Sequence, residues 1–294
     1  MNSVRKFSGK IRDAAKRFHW LGVIVGLGFG VMQPSGVWAQ GAGDLVVSPT
    51  RVVLEGRTRT AQLTLLNRGS ASATYRIAAV NMRMEEDGTV REIEKADPGQ
   101  SFANGLFRYS PRQVTLKPGA AQAIRILLRK PKDLKDGEYR SHMLFQGVPQ
   151  EAGESVEQGA ADGIAVKMIP IYGISIPVII RHGKTAADVS LSDLKLLAKD
   201  DANPLPRLKF QINRKGNRSA FGDLIATYKS GSESTVIGQI RRLAIYTPNT
   251  HRSVEMRLRV PNGTKLSGGT IHLSYTKTAD DGGKLMSETE FMVP

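Results

Sequence analysis

The stretch that decides the reading is residues 164–180, IAVKMIPIYGISIPVII, the longest apolar run outside the N-terminus. Pro170 and Pro177 rule out a helix here, because proline lacks the N–H that a helix interior needs and its ring clashes with the preceding turn. Proline is equally excluded from strands paired on both sides. A long, hydrophobic strand that contains proline is therefore expected to be an edge strand for part of its length. Open apolar edges invite pairing with other chains and proteins usually avoid them, so one that is retained points to a use for it.

The neighbouring segments are all-β in pattern. Upstream, residues 147–163 contain Glu151, Glu154, Glu157 and Asp162 but no lysine or arginine, and they read as an exposed mobile loop with little to bury. Ala61, Leu63 and Leu65 alternate with Gln62 and Thr64, and residues 124–129 (IRILLR) repeat that period of two. Asn67-Arg68-Gly69-Ser70, Lys117-Pro118-Gly119 and Asp136-Gly137 punctuate the runs as turns. Past Arg181-His182-Gly183-Lys184 the pattern restarts, with strands marked by Val189 and Leu191 and by Leu208, Phe210 and Ile212. A closing hairpin has Ile271, Leu273 and Tyr275 inward and turns at Asp281-Gly282-Gly283. Short strands at this spacing predict sandwiches rather than βαβ units. The expected division is residues 1–39, 40–183 and 184–294, with the boundary between the folded parts near 182–187.

The first segment reads as a cleaved export signal. Arg5, Lys6, Lys10, Arg12, Lys16 and Arg17 precede an apolar run from Trp20 to Met32, Pro34 ends it, and Val37-Trp38-Ala39 offers small residues before a cut at Gln40. The run is short for a bilayer span, and no stable membrane insertion is expected. The 294 residues carry a net charge of +15, of which residues 1–39 supply +5, leaving +10 on the exported part. Such a charge suits an anionic partner, but no nucleic-acid-reading motif accompanies it.

Catalytic patterns are missing from the sequence. With no cysteine there is neither a disulfide framework nor a thiolate site. There is no phosphate-cradling glycine loop, nucleophile elbow or zinc signature. The five histidines, at 19, 142, 182, 251 and 272, are scattered. Glu85-Glu86-Asp87 and Asp280-Asp281 sit beside glycines and read as solvated hairpin ends. No enzyme activity, cofactor or metal is expected.

Several blocks, taken in order, resemble the PapD-like periplasmic chaperones that assemble pili and fimbriae. Residues 45–54 (LVVSPTRVVL) are similar to that family's first strand and residues 107–119 (FRYSPRQVTLKPG) to its middle-strand region, followed by 123–128 and 138–143 (EYRSHM). Residues 213–224 (NRKGNRSAFGDL) look like a divergent branch of the same family. The resemblance covers most of residues 44–230 and fades towards the C-terminus. It implies two immunoglobulin-like β-sandwich domains set at an angle. It also implies a partner, a pilin or other fimbrial subunit that lacks a strand, to which the chaperone lends its own edge strand, with an outer-membrane usher as a second partner. The implied donor strand lies within 164–174, with Ile164, Val166 and Met168 filling the groove and Pro170 following them. In the family an arginine on the first strand and a lysine on the donor strand hold the subunit's terminal carboxylate. Arg51 matches the arginine. The lysine position falls near Ser175, so either Lys167, several residues early, or a residue across the cleft completes the anchor, or carboxylate anchoring differs in this branch. Arg108 and Arg112 are further cationic candidates. The competing readings are a secreted adhesive or structural protein of the same fold, and a hydrolase with its site between the domains.

Overall fold

The computed structural model describes residues 44–149, 156–158, 166–168, 171–261 and 265–294. In chain order the strands are β1 (Leu45–Ser48), β2 (Val52–Leu54), β3 (Thr60–Asn67), β4 (Ala73–Val80), β5 (Met82–Met84), β6 (Val90–Glu92), β7 (Phe107–Ser110), β8 (Gln113–Leu116), β9 (Ala121–Leu128) and β10 (Gly137–Val148). They continue with β11 (Val156–Gln158), β12 (Val166–Met168), β13 (Gly173–His182), β14 (Ala187–Leu197) and β15 (Arg207–Gly216). The last are β16 (Ala220–Ser230), β17 (Glu233–Ile245), β18 (His251–Arg257), β19 (Thr270–Lys277) and β20 (Leu285–Met292).

Alternation in the sequence becomes alternation in depth. Leu63 and Leu65 on β3 and Ile124, Ile126 and Leu128 on β9 are buried while Gln62, Thr64 and Arg125 face out, and β3 pairs with β9 so that Leu63 lies opposite Ile124. That sheet runs β1-β3-β9-β7 and packs against a second, β2-β13-β10-β4-β8. The shared core is built from Leu63, Leu65, Ile124 and Ile126 on one side and Tyr75, Met143, Phe145 and Val178 on the other. Each such side chain stabilises the fold by about 1.5–3 kcal/mol relative to exposure. The segment read as one first strand is in fact two: β1 belongs to the first sheet and β2 to the second, where it runs parallel to β13.

A second sandwich follows residues 183–186. Its sheets run β14-β15-β18 and β17-β16-β19-β20, around Leu208, Phe210, Ile212, Leu224, Tyr228, Ile271, Leu273 and Tyr275. The fold is all-β, two β-sandwiches in one chain. At the connection Gly183 has φ +61, and a Cβ there would fall 1.7 Å from Asp136 Oδ1, so only glycine fits both the left-handed backbone and the space. A small apolar cluster joins the sandwiches: Met84, Ile179, Ala244 and Tyr246, with Val53 and Phe221 against it.

The acidic hairpin ends do more than sit in solvent. The turn between β5 and β6 docks on the second sandwich, where Ser253 N donates to Glu86 O (2.8 Å), Asn249 Nδ2 donates to Met84 O (2.8 Å), and His251 Nε2 lies 2.9 Å from Glu86 Oε1. The β19–β20 turn likewise reaches across through Asp281, which pairs with Arg51, while Asp280 pairs with Arg242 of β17 in its own sandwich. Sequence showed acidic residues beside glycine; the cationic partners come from distant strands.

His142 lies within β10, buried, with Nδ1 bonded to none of the described residues. Burial foremost, and then the charge of Arg140, push its pKa down to about 3. The folded imidazole therefore stays neutral at acidities where the unfolded one, near 6.5, takes up a proton. Above pH ~6.5 the group adds no pH dependence; below it stability is expected to fall by about 1.4 kcal/mol per pH unit until about pH 3. Urea unfolding of wild type and His142→Gln at several pH values between about 6 and 4 checks this. The variant should lose that part of the slope, and equal slopes would refute the assignment.

Candidate functional site

Arg51 lies in the crossing between β1 and β2, which turns its side chain towards the second sandwich. The guanidinium is 12% exposed, stacks 4.1 Å over the Phe221 ring and donates from Nη1 to Asp281 Oδ2 at 3.2 Å. Its Nε is buried without a partner among the described residues. Burial, and next the charge of Arg181, hold its pKa below the ordinary arginine value. Arg51 is one wall of a cleft of about 300 Å³ that Arg181, Arg218, Phe221, Lys277 and Asp281 also line.

The other cations of the cleft differ in how they are satisfied. Arg181, at the end of β13, donates from Nε to Glu138 Oε2 and from Nη1 to Glu55 Oε2, both at 2.9 Å. Glu138 has no exposed side-chain surface and also accepts from the backbone N–H (3.2 Å) and hydroxyl of Ser219 in the second sandwich. Arg218 pairs with Glu55 at 3.1 Å. Burial raises the Glu55 carboxyl, but the hydrogen bond and charge of Arg181, with Arg218, outweigh it and hold the pKa below the ordinary value. Lys277, at the end of β19, makes no ion pair with the described residues. Behind the cleft, buried Arg140 stacks 4.4 Å over Tyr246 and donates weakly to Thr247 O at 3.5 Å.

The second element is the edge. β13 pairs antiparallel with β10 over its whole length, but β2 lies on its other side at Val178–Ile180 alone. Gly173–Pro177 therefore has one neighbour among the described residues, and Pro177 sits in this half, as its missing N–H requires. Just before it Ile171 and Tyr172 are 55% and 53% exposed.

The sequence-derived positions fall as follows. Ile164 and Pro170 lie outside the described residues. Val166, Lys167 and Met168 form β12, whose backbone pairs with β11 so that Glu157 is opposite Lys167. The stretch read as a loop from 147 to 163 thus includes the end of β10 and the strand β11, because local antiparallel pairing satisfies backbone groups that its composition leaves open. Arg108 is exposed on β7, and Arg112 stacks over Tyr109 and donates to its hydroxyl (2.7 Å); neither lines the cleft. Lys277, Phe221 and Arg218 were not singled out from sequence, since nothing local marks them as neighbours of Arg51. Among the described residues no group of three or more histidine or acidic side chains is arranged to hold a metal, and no helix is long and apolar enough to cross a membrane.

Residues 44–181 match the family model of the pili and flagellar-assembly chaperones, PapD N-terminal domain. No curated protein sequence matched. Among solved structures the chain is similar to the YadV chaperone, with 13% identity, 84% of this chain and 98% of that one covered, and a TM-score of 0.42. It is also similar to the Pseudomonas aeruginosa CupB2 chaperone (11% identity, 85% and 100% covered, TM-score 0.41). A third likeness is to a complex of Salmonella enterica SafA pilin with the SafB chaperone (13% identity, 85% and 96% covered, TM-score 0.40). Likenesses this distant assign no residue a role. The family is one of assembly chaperones, and residues 44–181 of this chain match the model of its N-terminal domain.

Proposed function

We propose that this protein is a periplasmic chaperone that captures a pilin or other fimbrial subunit by lending it an edge strand, and then delivers it to an outer-membrane usher. Residues 1–39 direct export and are cleaved, residues 40–183 form the capturing domain, and residues 184–294 form the second domain that closes the cleft. The observation that carries this reading is the half-paired edge Gly173–Pro177, continued by exposed Ile171 and Tyr172. A guest strand laid along residues 164–174 gains main-chain hydrogen bonds, and alternate side chains (Ile164, Val166 and Met168) enter its apolar groove. Arg51 receives the guest's terminal carboxylate through charge-assisted bonds, with Lys167 or a cation across the cleft completing the anchor.

The test is capture of the cognate subunit co-expressed with the chaperone. Arg51→Ala is expected to fold and to retain about one-tenth or less of the wild-type co-purified subunit, since removing one partner of a desolvated charge pair costs about 2–5 kcal/mol. Undiminished capture by a folded Arg51→Ala variant would remove the anchoring role.

A further inference from the structure

Among the described residues the cleft holds one cation tied to its carboxylate by a single contact, Arg51, and one that makes no ion pair, Lys277. Arg181 and Arg218 are each committed to glutamates, Arg181 through two charge-assisted bonds while nearly buried. Arg51 differs. Its guanidinium is held in place by the Phe221 ring, yet among the described residues one alone of its five donors is bonded, through a single 3.2 Å contact to Asp281. Asp281 is 47% exposed, and the turn that carries it, Ala279–Asp281, runs directly into Gly282 and Gly283 at φ 93 and 62. The cation is thus fixed and the carboxylate stands on the side open to water. Lys277 lines the same cleft with no ion pair among the described residues.

We propose that Asp281 is a built-in stand-in for the guest's terminal carboxylate: it occupies Arg51 until an incoming chain end displaces it and pairs with both Arg51 and Lys277. This rests on the reading that Arg51 anchors the guest. The cost of displacement is small, because a half-exposed ion pair is worth at most about a fivefold change in an equilibrium. A strand lacking a free carboxylate gains nothing from the exchange, so the device favours true chain ends over internal strands.

The probe is a short fluorescent peptide of alternating valine and serine with a free C-terminal carboxylate, compared with its C-terminal amide by polarisation titration against the full chain. Asp281→Asn should bind the carboxylate peptide about fivefold more tightly and the amide unchanged. Lys277→Met should weaken the carboxylate peptide by a similar factor. Asp280→Asn removes the same charge one residue away and should leave both unchanged. Equal affinities for wild type and Asp281→Asn, or an equal gain from Asp280→Asn, overturn the proposal. Arg51→Ala separates the two readings. If it keeps the wild-type preference for carboxylate over amide, anchoring by Arg51 fails. If it abolishes that preference while Asp281→Asn changes nothing, the stand-in fails and the anchor survives.

Discussion

Glu138→Ala is expected to destabilise the protein by about 3–5 kcal/mol, the loss seen when one member of a buried ion pair is removed. Glu138 is fully buried on β10 and accepts from Arg181, from the Ser219 backbone and from the Ser219 hydroxyl. Without it Arg181, 6% exposed, keeps one carboxylate at Glu55, and the Ser219 N–H is left unpaired in a desolvated place. Because Glu138 and Ser219 stand on different sandwiches, the loss falls on their junction. Denaturant unfolding followed by tryptophan-independent circular dichroism should show a lower midpoint and a broader transition, as the sandwiches melt less cooperatively. Glu138→Gln, which keeps the shape and part of the bonding, should lie between. A loss below about 1 kcal/mol for Glu138→Ala would mean that water replaces the network and that the junction is held by the Met84–Ile179–Tyr246 cluster instead.

The second large effect concerns capture. Val166→Glu combined with Met168→Glu is expected to reduce co-purified subunit to about one-hundredth of wild type or less. Residues two apart on a strand share a face, so on the proposed function both carboxylates would enter the apolar groove of the guest, and an unpaired charge transferred from water to such a groove costs several kcal/mol. The stability of the free chaperone should hardly change, since β12 is paired with β11 alone among the described residues. Folded double variant with wild-type capture would move the lent strand elsewhere, and Gly173–Pro177 would be the next segment to substitute.

Much of the architecture was legible in the residues. The alternation of Leu63 with Leu65, of Ile124 with Ile126, of Leu208 with Phe210 and Ile212, and of Ile271 with Leu273 and Tyr275 reports strands directly, because burial of one face is a local property of period two. Pro177 placed a half-open edge for the same kind of reason. The first strand was read as continuous and is divided between two sheets, as both halves alternate equally well and only pairing tells them apart.

What the residues determined by themselves is therefore the strand content, the turn positions and the presence of a proline-bearing apolar edge, all set within windows of a few neighbours. What the tertiary structure alone decided is the company of Arg51. Asp281 lies 230 positions away in the chain, and Phe221 and Lys277 come from two further strands. Charge and stacking act through space over a few ångströms, whereas sequence records distance along the chain, so no local pattern could have brought these four side chains together.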